Sequence, residues 1–233
     1  MKRNALIFDL DGTLVDSVPD LEAALNETLR EVGGPALARA AVRGMVGDGT
    51  AALVARALAA SGLPDAMLAD RLSRFLALYE AAPAVRSRTY PGVIETLAAL
   101  RRDGRRLAIC TNKPQRATLA VLRGLALDGF FMAVVGGDVL PVRKPDPGHL
   151  LGAVTALGAT ADEAAMIGDN EHDVAAANSA GIPIVLARYG YARVPLATLS
   201  ASCQIDDFRA LPDALRRIEA PPDQGGAAAT QLP

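Results

Sequence analysis

Four aspartates stand at positions where their spacing could support chemistry. Asp9 and Asp11 follow a short apolar run near the amino terminus, and Asp169 and Asp173 follow another apolar run far along the chain. If both runs are parallel strands of one sheet, their carboxyl ends meet at the edge where open α/β sheets bind ligands. Carboxylates gathered in a low dielectric repel one another, and hard oxygen ligands of this kind suit Mg²⁺. We therefore expect a magnesium site at this edge.

Three further polar residues are expected at the same edge. Thr111 and Asn112 follow an apolar run of their own, and Lys144 stands in the loop after the next one. A lysine charge and a threonine hydroxyl beside a cation would form a site for a dianion, and phosphate fits that description. The sequence offers no Ser–His–Asp or Cys–His arrangement and no glycine-rich phosphate loop. A carboxylate nucleophile is therefore the natural candidate.

Each of these groups also has an ordinary structural interpretation when it is taken alone. The Asp9–Gly12 tetrapeptide could be a turn with an Asx cap, and Lys144 could lie in a solvated loop. Asp169 and Asp173 could simply stabilise the positive end of a helix that follows them. Their order along one chain, each at the end of a predicted strand, favours a joint site over these separate explanations.

The strands and helices that must position these residues alternate along the chain. The continuous apolar run Ala5–Phe8 is typical of a strand buried on both faces. Similar runs predict further strands at 106–111, 131–135, 164–168 and 182–187. Helical patterns follow at 92–102, 115–124, 147–157 and 173–180. Strands that alternate with helices through short connections predict an open, parallel α/β sheet.

Residues 16–85 interrupt this alternation. The stretch is rich in Ala and Leu, contains no convincing strand, and has apolar residues at helical spacing. We predict an all-helical cap domain at 16–85, inserted into an α/β core domain formed by residues 1–15 and 86–218. The Pro-, Gly- and Ala-rich residues 219–233 are expected to form a disordered tail.

Composition limits the classes of protein to which the chain can belong. Lys and Arg number 24 against 26 Asp and Glu, and this near balance argues against a nucleic-acid binder. No apolar run reaches membrane-spanning length, so no membrane association is expected. Cys110 and Cys203 match no metal-ligand spacing, which suggests reduced thiols in a cytoplasmic setting. We expect a monomer or homodimer that acts on a small phosphorylated metabolite.

Four short motifs resemble those of the haloacid dehalogenase-like hydrolase superfamily. The string FDLDGTLVDS at 8–17 is similar to its first motif, and Thr111-Asn112 is similar to its second. Lys144-Pro145 resembles the third motif, and GDNEHD at 168–173 resembles the fourth. The similarity extends to about residue 218, and the helical insertion lies where this superfamily carries its type-1 cap. The resemblance implies a Rossmann-like, doubly wound parallel sheet with an inserted helical cap.

The resemblance also implies roles for the four aspartates. Asp9 would be the nucleophile that forms an aspartyl-phosphate, and it would also bind the metal. Asp11 would protonate the leaving alcohol and then activate water, while its backbone carbonyl would bind Mg²⁺. Asp169 would bind the metal directly, and Asp173 would either bind it or support the other ligands.

Other motif residues would hold the phosphoryl group. By the same resemblance, Thr111 and the backbone amide of Asn112 would bind the phosphoryl oxygens. Lys144 would neutralise charge on the phosphate and on Asp9. Asn170 stands where relatives more often carry Ser or Thr, and its side chain would contact metal-bound water.

Two residues of the first motif separate the reaction types within this superfamily. Dehalogenases usually lack a residue such as Asp11, and phosphonate hydrolases tend to carry Ala in place of Thr13. The presence of Asp11 and Thr13 in this chain therefore resembles a phosphatase.

A sugar-phosphate mutase would use the same Asp9 and Asp11 and stays an alternative. The alternative from another class is a non-catalytic phosphate-binding module such as a receiver domain. The helical insertion argues against it, because a receiver domain would not need one. The first strand also lacks the Gly-x-Gly-x-x-Gly turn of dinucleotide-binding enzymes.

The stretch Val42–Thr50 is the candidate for substrate recognition by the cap. Gly47 and Gly49 allow a tight loop, and the amides around Asp48 lead into a helix whose beginning is a natural anion site. Arg43 could bind a substrate carboxylate through two hydrogen bonds. From spacing alone, an ordinary turn between helices with a solvated Arg43 explains the same residues.

Several segments resemble bacterial phosphoglycolate phosphatases in particular. These segments are the cap stretch just described, TNKP at 111–114, KPDP at 144–147 and RYGY at 188–191. The resemblance implies hydrolysis of 2-phosphoglycolate to glycolate and phosphate. A related capped phosphatase that acts on sugar phosphates, nucleotides or pyrophosphate is the nearest alternative.

Overall fold

The computed structural model describes residues 2–220 and contains one main sheet. In chain order, the strands within these residues are β1 (Ala5–Phe8), β2 (Val15–Asp16), β3 (Arg88–Thr89), β4 (Arg106–Cys110), β5 (Ala133–Val135), β6 (Ala164–Gly168), β7 (Ile184–Ala187) and β8 (Cys203–Ile205). Six of them form a parallel sheet in the order β5-β4-β1-β6-β7-β8. The predicted α/β class with a parallel sheet is confirmed.

Helices cover both faces of the main sheet and also form the insertion. In chain order they are α1 (Val18–Arg30), α2 (Arg39–Arg43), α3 (Thr50–Ala60), α4 (Leu68–Ala81), α5 (Val93–Arg102), α6 (Gln115–Gly124), α7 (Pro147–Ala156), α8 (Glu171–Ser179) and α9 (Leu211–Glu219). None of the helices described between residues 2 and 220 is both long and apolar enough to cross a membrane.

The pleat of β1 divides the core between the two faces of the sheet. Leu6 and Phe8 pack into one apolar cluster with residues of α5, α6 and α9. Ala5 and Ile7 point to the opposite face, into a second cluster with residues of α7 and α8. All four side chains are fully buried, which explains the continuous apolar run in the sequence.

Helices α1 to α4 lie between β2 and β3, where the helical insertion was expected. Strands β2 and β3 form a short antiparallel pair, with Val15 opposite Thr89 and Asp16 opposite Arg88. This pair carries the chain into and out of the insertion side by side. We propose that α1 to α4 constitute the cap domain at 16–85.

The carboxyl-terminal part of the described chain contains two elements that the sequence patterns did not predict. Strand β8 extends the sheet beside β7, and α9 packs against both strands and against α5. Glu219, which the sequence analysis placed in a tail, is the last residue of α9, and its carboxylate accepts a hydrogen bond from Arg105 at 3.0 Å. Ala220 of the predicted tail follows as the C-cap of α9, and residues 221–233 lie outside the described residues.

Candidate active site

The central position of β1 brings three strand ends together. Strand β1 lies between β4 and β6, and it continues one residue further because the Asp9 amide donates to the Ile167 carbonyl at 2.9 Å. Asp9 therefore stands between Thr111, which follows β4, and Asp169, which follows β6. Parallel strands end at the same edge of the sheet, so motifs that are remote in sequence meet there.

Three buried carboxylates form a compact acidic cluster at this edge. Asp9, Asp169 and Asp173 each offer an oxygen, and these oxygens lie within 4.8 Å of one another. Burial raises the pKa of Asp9 to about 6, with Lys144 opposing the rise and Asp173 adding to it. Burial and the neighbouring carboxylates also hold the pKa of Asp169 well above its ordinary value. Such a cluster of oxygen donors could hold a metal ion.

Asp169 and Asp173 are held in place by hydrogen bonds to their carboxylates. The Thr13 hydroxyl donates to Asp169 Oδ1 at 2.9 Å, and the Tyr191 amide donates to Asp169 Oδ2 at 2.6 Å. The Asp169 amide in turn donates to Asp173 Oδ2 at 3.0 Å. Asn170 caps α8 by accepting from the His172 amide at 2.9 Å. The beginning of α8 is thus arranged around the acidic cluster.

Lys144 supplies the positive charge that the cluster needs. Its Nζ lies 2.6 Å from Asp173 Oδ1 and 3.1 Å from Asp9 Oδ1. Burial opposes the charged form, but the charges of Asp173 and Asp9 outweigh it and raise the pKa of Lys144 well above its ordinary value.

His149 is buried next to Lys144. The backbone amide of Lys144 donates to His149 Nδ1 at 3.3 Å, while His149 Nε2 lies 3.1 Å from the Gly136 carbonyl oxygen. Burial, aided by the Lys144 charge, lowers the pKa of His149 to about 4.

Asn112 links the core to the cap through its side-chain amide. Its Nδ2 donates to the Gly47 carbonyl and to the Lys144 carbonyl, each at 2.9 Å. Gly49 packs directly on this residue, since a Cβ at position 49 would lie 3.1 Å from the Asn112 carbonyl oxygen. Gly49 also has a φ of +89°, which glycine adopts without strain. The structure therefore brings the predicted cap loop against the predicted phosphate-binding segment.

Asp11 lies apart from the three-carboxylate cluster and pairs with a lysine that the sequence analysis did not single out. Lys113 Nζ lies 2.9 Å from Asp11 Oδ2 and 3.1 Å from Oδ1. The same ammonium lies 4.5 Å from the centre of the Tyr79 ring of α4. Burial disfavours the charge of Lys113, but Asp11 and Tyr79 outweigh it and raise the pKa of Lys113 above its ordinary value. Its signals in the sequence were its place two residues after Thr111 and its inclusion in the TNKP segment at 111–114.

Arg43 is directed away from the pocket in this conformation. Its guanidinium donates to the carbonyls of Tyr189, at 3.0 Å, and of Gly190. It also stacks over the Tyr191 ring, 4.7 Å from the ring centre. The side chain predicted to bind the substrate thus contacts the core loop after β7, and the structure does not bring it to the phosphate-binding residues.

Asp48 also forms contacts between the cap and the core. Its carboxylate pairs with Arg56 of the cap and with His172 and Arg193 of the core. Burial opposes ionisation, but hydrogen bonds from Arg193 and Arg56 hold the pKa of Asp48 well below its ordinary value. Glu171 completes the group, because its Oε1 lies 2.7 Å from Arg193. The sequence indicated that Asp48 lay near the site but gave no sign of these partners.

A pocket opens where the cap meets the strand ends. The core contributes Asp9, Asp11, Thr111, Asn112, Lys113, Ala117, Asn170 and Tyr191, whereas α1, α3, α4 and the cap loop contribute Leu21, Val46, Gly47, Gly49, Thr50, Leu53, Phe75, Leu76 and Tyr79. One wall is therefore polar and contains the aspartates, and the other is mostly apolar. The pocket suits a small anion whose reacting end faces the sheet.

Comparison with known families fits this arrangement. Residues 4–181 match the family model described as haloacid dehalogenase-like hydrolase. The chain belongs to this hydrolase family. The match includes β1, the helical insertion, β4 and β6, so all four motifs of the site fall within it. The resemblance drawn from those motifs is confirmed.

Several proteins described as phosphoglycolate phosphatases are similar to this chain over nearly its whole length. A phosphoglycolate phosphatase of Rhodospirillum rubrum is 50% identical over 215 residues, which are 90% of this chain and 89% of the relative. One from Caulobacter vibrioides is 44% identical over 211 residues, with the same coverage. A solved structure from Haemophilus somnus, described as a predicted phosphoglycolate phosphatase, has a TM-score of 0.87 and 32% identity over 91% of this chain and 98% of its own. These similarities include both the cap and the core.

Proposed function

We propose that this hydrolase cleaves 2-phosphoglycolate into glycolate and inorganic phosphate. The observation that carries the choice of substrate is the 50% identity to a phosphoglycolate phosphatase over about nine-tenths of both chains. The reaction class has separate support from the site, where a buried aspartate, a buried lysine and an acidic cluster adjoin a small pocket. This combination fits phosphoryl transfer, which depends on positioning and on charge neutralisation.

Asp9 is the nucleophile in this proposal. The Leu10 amide donates to Asp9 Oδ1 at 2.7 Å, and Lys144 pairs with the same oxygen. Neither contact uses Oδ2, so we assign the attack on phosphorus to Oδ2. The new O–P bond forms as the bond from phosphorus to the ester oxygen breaks, which leaves a phosphoryl group on Asp9. Water then attacks this acyl phosphate, releases inorganic phosphate and restores the carboxylate.

Asp11 moves the protons in both steps. It would donate a proton to the ester oxygen as glycolate leaves, and then accept a proton from the attacking water. Its side chain lines the pocket, two residues from the nucleophile. It pairs with Lys113 and is not part of the acidic cluster, which fits a role distinct from that of Asp9.

Thr111, Asn112 and Lys144 would hold the phosphoryl oxygens. Thr111 is buried at the end of β4, and the Asn112 amide follows it in the same turn. Lys144 already balances Asp9 and Asp173, and it would share this charge with the incoming phosphate. Donors that are fixed before the substrate arrives stabilise developing charge without reorganisation.

We propose that the acidic cluster binds Mg²⁺. Three buried carboxylate oxygens within 4.8 Å of one another are a hard donor set, and the crowding of buried carboxylates that raises the pKa of Asp169 favours a compensating cation. Asp9 and Asp169 would hold the ion with the Asp11 backbone carbonyl, and Asp173 would ligate it or orient its neighbours. Asn170 would support the ion through its cap of α8 and a contact to metal-bound water. When bound, Mg²⁺ would withdraw charge from the phosphoryl oxygens.

We also propose that the enzyme works in the cytoplasm as a monomer or homodimer on a small metabolite. Cys110 and Cys203 are both free thiols, which fits a reducing compartment. Sedimentation of the purified enzyme at several concentrations would establish the subunit number. A larger assembly would contradict this part of the proposal.

A panel of phosphate esters tests the proposed function. The purified enzyme with Mg²⁺ would be assayed for phosphate release from 2-phosphoglycolate, sugar phosphates, nucleoside monophosphates and pyrophosphate. We expect the highest kcat/KM for 2-phosphoglycolate, without any bisphosphate activator. A higher value for another ester would overturn the choice of substrate, and a requirement for a bisphosphate would indicate a mutase instead.

A further inference from the structure

Lys113 is the charged group of the pocket to which the proposed mechanism gives no role. Its side chain is 4% exposed and pairs with Asp11 at 2.9 Å. Among the described residues that line this pocket, Lys113 alone has a cationic side chain. Burying an ammonium costs free energy that anionic partners must offset. A lysine at this position is well suited to bind an anionic group of the substrate other than the phosphate.

Tyr79 provides a second donor beside it. This residue of α4 is 1% exposed, and its ring lies under the Lys113 ammonium. Its hydroxyl is buried, and no acceptor in the described part of the chain takes its proton. A buried donor that lacks an acceptor is costly, so an acceptor that arrives with a ligand would be favoured there.

The position of Lys113 matches the geometry of the proposed substrate, and this step rests on the proposed function. Asp11 is assigned to protonate the ester oxygen, and Lys113 is in direct contact with Asp11. In 2-phosphoglycolate the carboxylate is attached to the same carbon as the ester oxygen. The substrate carboxylate would therefore lie beside Lys113 when the ester oxygen lies beside Asp11.

We propose that Lys113 and Tyr79 bind the substrate carboxylate, and that they make the enzyme select phosphate esters with a carboxylate on the ester carbon. The lysine supplies the charge, and the tyrosine supplies a neutral donor. Lys113 follows β4 in the core and Tyr79 belongs to the cap, so the carboxylate joins the two parts of the protein. Arg43 is already occupied by backbone carbonyls of the core.

Two substrates that differ at one group test this proposal. Ethyl phosphate has a methyl group where 2-phosphoglycolate has its carboxylate. We would measure the ratio of kcat/KM for 2-phosphoglycolate to that for ethyl phosphate. A charge-assisted contact predicts that Lys113→Met lowers this ratio by about 10- to 100-fold and that Tyr79→Phe lowers it by about 5- to 10-fold. Lys113→Arg should retain most of the ratio.

A matched control is available in Tyr90, whose buried hydroxyl lies outside the lining of the pocket. Tyr90→Phe should leave the ratio unchanged. An unchanged ratio in Lys113→Met would overturn the proposal, whether both rates fall together or neither falls. If Lys113→Met does not fold, Tyr79→Phe provides the test, because phenylalanine keeps the buried ring and removes only the hydroxyl. An unchanged kcat/KM ratio in Tyr79→Phe would likewise overturn the proposal. A ratio near one in the unaltered enzyme would instead contradict the proposed function.

Discussion

At the scale of single residues, the site is a balance of buried charges. Asp9, Asp173 and Lys144 are almost completely excluded from solvent, and the lysine lies within 3.1 Å of both carboxylates. A buried ion pair has little net value for stability, because desolvation offsets much of the attraction. Such an arrangement is better explained by function, since it keeps the proposed nucleophile and the proposed phosphate-binding lysine in contact before the substrate arrives.

The first prediction concerns the nucleophile. Asp9→Asn should lower kcat for 2-phosphoglycolate by at least about 10⁴-fold, because the amide cannot form the covalent intermediate. The fold should be retained, since the amide has nearly the same shape and Lys144 keeps its contact with Asp173. Phosphate release and circular dichroism would check the two parts. Turnover near the starting level would refute the role of Asp9.

The second prediction concerns the buried His149 and pH. Burial and Lys144 lower its pKa to about 4 from an ordinary 6.5, so the folded protein holds a neutral ring where the unfolded chain takes up a proton. Stability should therefore fall as the pH drops from 6.5 toward 4. Between pH 7 and pH 5 this residue should cost about 1 to 2 kcal/mol of unfolding free energy.

Urea unfolding of the unaltered protein and of His149→Gln at both pH values would measure this contribution. Glutamine cannot take up the proton but can still donate to the Gly136 carbonyl. The difference between the two proteins separates His149 from other titrating groups. Parallel pH profiles for the two proteins would show that His149 does not contribute.

The sequence predicted some residues of the site and not others. Asp9, Thr111, Lys144 and Asp169 were predictable because each follows a recognisable apolar strand or its loop, and parallel strands end at one edge. The partner of Asp11 was not predictable. Lys113 follows β4 and Asp11 follows the neighbouring β1, but an ion pair between two such loops is not encoded in a local sequence pattern.

At the scale of elements, the turn between β6 and α8 gives the acidic cluster its shape. Gly168 ends β6, and a Cβ at that position would lie 2.4 Å from Cγ of Asp173. The absence of a side chain lets the first turn of α8 approach the strand. The Asp169 amide can then donate to Asp173, which places both carboxylates in one cluster.

The third prediction follows from this close approach. Gly168→Ala should displace Asp173 and raise the Mg²⁺ concentration for half-maximal activity by about 10- to 100-fold, as expected when support of a metal ligand is lost. Gly129→Ala is a matched control, because no atom lies within 4 Å of a Cβ at that position. A magnesium titration of both variants would check it. Equal Mg²⁺ requirements in the two variants would contradict this account of the turn.

The sequence predicted some strands and missed β8, because the strands differ in burial and length. Strands β1, β4 and β6 are buried on both faces, so their sequences are continuous apolar runs. Strand β8 is only three residues long and contains the exposed Gln204. Its strand conformation comes from pairing with β7 at the edge of the sheet, which a local pattern cannot indicate.

At the scale of the whole molecule, contacts between cap and core surround the pocket. Asn112 binds the carbonyl of Gly47 on one side, and Arg43 binds the carbonyl of Tyr189 on another. Asp48 pairs with Arg193 of the core near the same loop. These contacts hold the helical insertion against the core beside the pocket.

The fourth prediction tests the Asp48 contact. Asp48→Asn should weaken closure, raise KM for 2-phosphoglycolate and for ethyl phosphate by the same factor of about 5 to 10, and speed hydrogen exchange in α3. Asp70→Asn is a matched control, because Asp70 is exposed and pairs with Arg71 inside the cap. Steady-state kinetics and exchange mass spectrometry would measure these effects. Kinetics like those of the Asp70 control would show that Asp48 does not hold the cap.

The central claim is that the phosphoryl group passes through Asp9. The direct measurement is rapid acid quenching of the enzyme during turnover of 2-phosphoglycolate labelled at phosphorus, followed by mapping of the labelled peptide. Our account predicts label on the peptide that contains Asp9, formed and lost fast enough to match turnover. An enzyme that turns over without acquiring label, or that carries the label on another residue, would contradict it.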